Sequence, residues 1–414
     1  MILNYIWIGF FVIGFVVALI RTIYGYSVGS ETDAHVFAEI GMGTFTSAKT
    51  AFTVALGLTG TLTLWMGLMR VGEKAGAVNF LGRLIGPFFA HLFPGVPKGH
   101  AAHGQIMLNF SANMLGLSNA ATPMGLKAMQ SLQDINEEKE TASNSMIMFL
   151  ALNTAGLTLI PVTILALRAT NGSSNPTDVF VPILITSFCA TLVAILTVAL
   201  RQRILTSKLI MWLGGGIALM AGVIALFMNL SPHARTEVST VGGNFILFGV
   251  IVAFLLAAAL KKINVYSEFI EGAKEGFGTM VKIVPYLVAM IVAIGVFRNC
   301  GAMDYIKTGL EWICNLFQAD TQFVPAIPVA LMKPLSGGGT EGLTVDILVK
   351  YGADSFVGRL ASIMYASADT TFYIVALYFG SVGVRNTRYA VTAGLVADFA
   401  GILAAIFVAY LFFG

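Results

Sequence analysis

Apolar residues run along this chain in blocks of about 20, the length that crosses a bilayer core, and the polar positions between them predict its elements. The run Ile2 to Ile20 lacks a basic start and a clear small-residue cleavage site, so a retained first helix is expected. Residues 22–49 are more polar, and Phe37, Ile40, Phe45, Ala48 and Phe52 recur at near-helical spacing, which predicts a helix on the membrane surface over 34–52. A span over 50–69 follows, closed by Arg70 and Lys74, and then a Gly- and Pro-rich segment over 76–99. Further spans are expected over 144–168, 178–200, 208–230, 243–260, 358–380 and 388–412, with a short or tilted one over 284–297. Ile263, Tyr266, Phe269, Ile270, Ala273, Phe277 and Met280 predict a second surface helix over 263–281.

Two segments do not fit a straight lipid-facing helix. Residues 104–126 are apolar but interrupted by Asn109, Asn113, Gly116, Ser118, Asn119, Thr122 and Pro123, and residues 323–349 are broken in the same way. Non-helical backbone has no water to bond in hydrocarbon, so each reads as a re-entrant hairpin or broken helix buried in protein. Leu117-Ser118-Asn119-Ala120-Ala121-Thr122 is a near copy of Leu335-Ser336-Gly337-Gly338-Gly339-Thr340-Glu341. A polar pair inside an apolar run follows each copy, Asn153-Thr154 in one case and Asp369-Thr370 in the other. The expectation is an all-α polytopic membrane protein of about ten spans, with two related halves at 1–205 and 243–414 joined by a helix and loop over 206–242. Arg201, Arg203 and Lys208 place their loop in the cytoplasm, but Arg and Lys are too few to choose between parallel and inverted halves.

Composition fixes the class and removes others. The chain is 57% hydrophobic and 11% charged, where a soluble chain carries about 25% charged residues. A net charge of +3 without a long basic run is too small to imply a nucleic-acid partner, and none is expected. Cys189, Cys300 and Cys314 lack metal-type spacing, and His100 and His103 stand three apart without a third ligand, so no metal site is expected. The glycine clusters lack the context of a phosphate loop, and no Ser/His/Asp arrangement is present, so neither enzyme activity nor a cofactor is expected.

The repeated breaks carry the candidate chemistry. Free N–H and C=O groups at half-helix ends hold an ion or polar ligand with few charged side chains, and Gly337-Gly338-Gly339 admits close approach to the main chain. Candidate binding residues in the first half are Ser118, Asn119, Thr122, Asn153 and Thr154. In the second half they are Ser336, Gly337, Gly338, Thr340, Glu341, Asp369 and Thr370. Ionisable groups concentrate there, at Lys333, Glu341, Asp346 and Asp369, which makes Asp369 the first candidate for a proton or sodium coupling site, Glu341 the second, and Lys333 the countercharge. The bland alternatives are close helix packing through the glycines and a hydrogen bond from Asp369 to a broken helix end.

Asn119-Ala120-Ala121-Thr122-Pro123, followed by Asn153-Thr154 and Ile160-Pro161, resembles spore maturation protein A. Lys333-Pro334-Leu335-Ser336-Gly337, then Asp354-Ser355-Phe356-Val357-Gly358-Arg359-Leu360-Ala361-Ser362 and Asp369-Thr370-Thr371-Phe372-Tyr373, resembles spore maturation protein B. The resemblance implies a fusion of two proteins that each carry a nucleoside-recognition gate domain, distantly similar to concentrative nucleoside transporters. In those transporters re-entrant hairpins and interrupted helices hold the substrate near the midplane, and the matching places here are 117–123, 335–341 and the two polar pairs. It implies a bacterial inner-membrane transporter for a small polar solute, with lipids and further copies of the chain as the other expected partners. A non-transporting factor in envelope or spore maturation, and a lipid-handling protein, are the alternatives.

Overall fold

A helix satisfies every backbone polar group within its own segment, which is what a chain this apolar needs in lipid. The computed structural model describes all residues except Met1, Glu31, Thr32, Ala34 and Ala319, and the side chains of Ile2, Leu3, Ser118, Asn119 and Pro232 also lie outside what is described. Among the described residues the regular structure is helical throughout.

After α1 (Ile2–Val28), one unit comprises α2 (Val36–Ala75), α3 (Ala77–Leu92), α4 (Ala101–Met114), α5 (Ser118–Asp134), α6 (Asn144–Ala155), α7 (Val162–Thr170) and α8 (Phe180–Gln202). Two connecting helices follow, α9 (Ser207–Met228) and α10 (Pro232–Leu260). The unit then repeats element for element as α11 (Val265–Asn299), α12 (Ala302–Leu316), α13 (Ile327–Met332), α14 (Gly337–Tyr351), α15 (Phe356–Ala366), α16 (Thr371–Ser381) and α17 (Ala390–Phe413). The corner after the first helix of each unit is made alike, by Gly76 at φ 90° and Gly301 at φ 88°, a left-handed conformation that a side chain disfavours.

Among the described residues, eight helical segments are long and apolar enough to cross a membrane. The expected span over 144–168 is not one of them, because Gly156 to Pro161 separates two short helices. Its counterpart over 358–380 is broken in the same place, between α15 and α16. The two surface helices require correction. Residues 34–52 and 50–69 are not a surface helix and a span but parts of the single helix α2, and 263–281 with 284–297 form the single helix α11. Nothing in either sequence stops the helix between the paired stretches, since Pro285 is tolerated inside α11. At 40 residues α2 is about 60 Å long, twice the thickness of the hydrocarbon core.

The direction of the halves follows from what touches what. Along α2 and α11, Ser47 meets Gly295, Thr63 meets Gly276, Gly67 meets Gly272, and Arg70 bonds Glu268, so equivalent helices run antiparallel. The glycines permit this approach, since a Cβ at Gly272 would stand 2.5 Å from the Met66 carbonyl oxygen. The equivalent spans α8 and α17 also pack antiparallel, with Ala190 against Gly401 and Arg201 over the ring of Tyr389. Two spans that cross lipid in opposite senses put the halves in inverted topology. Two spans, α9 and α10, separate the basic loop 201–208 from Lys261-Lys262, which therefore lie on one side of the membrane, as the positive-inside bias requires.

Two clamps join the halves. The α5–α6 loop is held by the α16–α17 loop, where Arg385 and Asn386 donate main-chain N–H groups to the Glu140 carbonyl, both at 2.9 Å. The equivalent α14–α15 loop is held by the α7–α8 loop through charge: Arg168 bonds Asp178 at 2.8 Å and Asp354 at 3.0 Å, and Arg359 bonds the second Asp178 oxygen at 2.7 Å. Arg168 and Asp178 are both fully buried. The Pro176 and Ala353 carbonyls and the Ser362 hydroxyl take the remaining guanidinium hydrogens, and the Ser173 hydroxyl shares those given to the two carboxylates. Asp354 lies in the loop outside the spans. Its burial pushes the carboxyl up, but hydrogen bonds from Ser173 and Ser174 and the Arg168 charge outweigh this and bring it down to about 2.

Candidate functional site at the crossing of the broken helices

Each half ends a helix inside the protein and restarts it, and the two unwound stretches meet. The Asp369 main-chain N–H donates to the Thr154 carbonyl at 2.7 Å, so the two polar pairs read from the sequence are bonded directly to each other. Each unwound stretch is also tied to the break in its own half. Leu159 donates to the Met114 carbonyl at 2.7 Å, and Phe372 donates to the Pro334 carbonyl at 3.0 Å. These bonds satisfy carbonyls that the helix ends would leave bare.

A cavity of about 150 Å³ lies at this crossing, lined by Asn113, Gly116, Thr158, Lys333, Tyr365 and Asp369. Beside it, and sharing Gly116, Val162, Thr163 and Tyr365 as a wall, is one of about 290 Å³ that reaches Trp65, Arg70, Glu73, Glu275 and Glu341. Leu117 and Ala120 of the first break and Glu341 of the second face this larger cavity together. The two breaks therefore approach each other across a shared space.

The sequence-predicted residues divide into those at the cavity and those behind it. Asp369 is exposed to the cavity, and one carboxyl oxygen accepts the Thr370 N–H at 2.7 Å. Among the described residues no ion pair joins it to Lys333, whose ammonium bonds the Tyr365 carbonyl and stands 4.9 Å from that residue's ring centre. The two charges share the cavity without neutralising each other by contact. Glu341 is buried, and its Oε1 has no hydrogen-bond partner among the described residues. Asp346 lies away from the crossing, paired with Arg298.

The remaining candidates support the backbone. Ser336 caps α14 by accepting the Gly339 N–H at 3.0 Å, and Thr340 donates back to the Ser336 carbonyl at 2.6 Å. Gly337 lies against Thr370, where an added Cβ would meet the hydroxyl at 3.2 Å, and Gly338 lies against Tyr286. Asn153 accepts from Asn113 at 2.9 Å and donates to the Phe149 carbonyl, Thr154 is buried, and Thr370 caps α16 from its β-region backbone. Thr122 is half-buried on α5 and lines neither cavity, and the side chains of Ser118 and Asn119 lie outside the described residues. Sequence reasoning did not assign Asn113, Tyr365 or Thr158 to the site. Asn113 was visible as a polar interruption, whereas Tyr365 sits in an ordinary apolar run and gave no signal.

Inverted halves, each with a re-entrant break and an interrupted span, define a multi-pass membrane protein built around the crossing of its broken helices. The family model described as Gate, nucleoside recognition, matches residues 55–171 and 280–385, which are the same parts of the two halves. The chain is 43% identical to spore maturation protein B of Bacillus subtilis (strain 168) over 165 residues, 40% of this chain and 91% of that protein. It is 40% identical to spore maturation protein A of the same organism over 191 residues, 46% of this chain and 89% of that protein. The chain belongs to the gate-domain family and is a fused relative of the two spore maturation proteins. No solved structure matches it.

Proposed function

We propose that the protein is a bacterial inner-membrane transporter that carries a small polar solute, nucleoside-like in class, through the crossing between its halves. The observation that supports this best is the bond from Asp369 to the Thr154 carbonyl beside a cavity that holds Asp369 and Lys333. A carboxylate, an ammonium, an amide at Asn113 and a tyrosine are the groups that grip hydroxyls, ring nitrogens and a base face. Because Asp369 is open to the cavity, it suits direct contact with a solute. Glu341 in the adjoining space suits proton exchange during transport. No chemical change of the solute is part of this reading, and lipids and other copies of the chain are its remaining partners.

The test is metabolite profiling of cells with and without the protein, followed by uptake of the affected compounds into vesicles that contain it. Saturable uptake that Asp369→Ala lowers at least tenfold is expected. A normal metabolite profile, with no uptake of any nucleoside or nucleobase, would contradict the proposal. Lipid handling is a second reading, favoured by an almost wholly apolar cavity of about 320 Å³ between Phe88, Phe188, Leu192 and Trp212. Altered lipids with unchanged soluble metabolites would select it.

A further inference from the structure

Asp398 is an ionisable group that the solute cavity does not use. It sits in the middle of α17, 2% exposed, in a span where a charged group needs a partner. One carboxyl oxygen, Oδ2, accepts from the Thr371 hydroxyl at 2.6 Å, and the other, Oδ1, has no hydrogen-bond partner among the described residues. The arginines nearest in sequence do not serve it. Arg385 pairs with Glu140, and Arg388 bonds the Ala142 carbonyl and Asn144.

The surroundings of Asp398 are rich in oxygen. Gly394 and Gly401 lie one turn before and after it on the same helix face. A Cβ at Gly394 would stand 2.9 Å from the Thr371 hydroxyl and 3.4 Å from the Thr154 hydroxyl, and one at Gly401 would stand 3.4 Å from the Ser367 hydroxyl. Three hydroxyls therefore crowd the face that carries the carboxylate. Two have already given away their single hydrogen, Thr154 to the Ala151 carbonyl at 3.0 Å and Ser367 to the Met364 carbonyl at 2.8 Å. What they still offer is lone pairs. Lone pairs set along the helix face that bears a half-bare buried carboxylate suit a cation.

We propose that Asp398, with the hydroxyls of Thr371, Thr154 and Ser367, forms a binding site for a sodium ion. Hard cations take oxygen ligands of this kind, and with the Lys333 ammonium and the Asp369 carboxylate both within electrostatic reach of Asp398, a monovalent ion is the charge this site can balance, whereas a divalent ion would remain under-compensated in a low dielectric. The site draws on both halves. Thr154 ends the helix that leads into the first unwound stretch, Ser367 and Thr371 border the second, and Asp398 lies on α17. An ion there ties the crossing together and fixes the backbone that presents Asp369 to the cavity. This deepens the transport reading and rests on it for its purpose, but the ion site is tested without any solute.

The experiment measures the melting temperature of the purified, detergent-solubilised protein while sodium chloride replaces choline chloride at constant ionic strength. A saturable rise of a few degrees is expected for the wild type, absent with potassium, retained in Asp369→Asn and Glu341→Gln, and lost in Asp398→Asn. Ser367→Ala keeps the carboxylate and guards against a variant that does not fold; it should move the sodium midpoint at least threefold. Absence of a sodium effect in the wild type, or an effect that survives both substitutions, would overturn the proposal. So would a stabilisation that follows acidification instead of sodium and disappears in Asp398→Asn, which would assign a proton to the site. Sodium binding without uptake of any solute would leave this site standing and remove the transport reading.

Discussion

Arg168 and Asp369 are both charged side chains in an apolar protein, yet their surroundings are opposite. Arg168 is enclosed by Asp178, Asp354, two carbonyls and two hydroxyls, with Arg359 closing the far side of Asp178. Asp369 accepts one main-chain N–H and otherwise faces a cavity, with Lys333 in the same space but out of contact. A charge whose every bonding position is filled by the protein has nothing left for a ligand and acts as a fastener between the halves. One that keeps free bonding capacity beside an open space is available to a solute. The difference separates structural from functional charge without reference to either residue's name.

Removing the charge of Asp178 breaks the filled cluster most severely. Asp178→Asn leaves the buried Arg168 guanidinium with Asp354 as its one carboxylate partner and leaves Arg359 unpaired there, and since complete loss of a buried partner costs about 3–5 kcal/mol, a loss approaching that size is expected. Expression in the membrane and the melting temperature in detergent should both fall sharply. A variant as stable as the wild type would show that water reaches the cluster.

Acid attacks the same cluster more gently, through its outer member. Because Asp354 is depressed from the ordinary 3.8 to about 2 in the folded protein, its contribution is complete above about 3.8 and is lost as the pH falls through about 2. Acid unfolding of the detergent-solubilised protein should therefore take up protons within that window, and Asp354→Asn should flatten the melting temperature across it. An unchanged slope in the variant would remove Asp354 from the clamp.

At the cavity the smallest effect on stability is expected. Asp369→Asn retains an oxygen for the Thr370 N–H and leaves no buried partner stranded, so unfolding measured by denaturant or heat should change by less than about 1 kcal/mol. A loss as large as that of Asp178→Asn would mean that Asp369 is also a fastener.

Much of this arrangement was legible beforehand because lipid makes polar interruptions costly. The paired breaks at 117–123 and 335–341 and the polar pairs at Asn153 and Asp369 are all interruptions of that kind, and the structure brings them to one crossing. The continuity of α2 and α11 was not legible, since an amphipathic stretch followed by an apolar one has the same residue pattern whether the chain bends between them or runs on. Inversion escaped for a different reason: it is fixed by contacts such as Gly272 on Gly67 and Ala190 on Gly401, and small residues at an interface do not announce their partners. The Arg168 cluster combines residues from the ends of three helices, and its charges read singly as ordinary span boundaries.

The central claim is that a wet cavity lies at the crossing of two inverted halves and presents Asp369. Asp369→Cys, in a background where Cys189, Cys300 and Cys314 are replaced by Ala, tests it through the rate of modification by a small water-soluble thiol reagent. Rapid modification is predicted, far faster than for a cysteine at the buried position Ala397, and it should slow when the transported solute is added. Modification no faster than at Ala397 would mean that the crossing is dry and closed, and the account would fail.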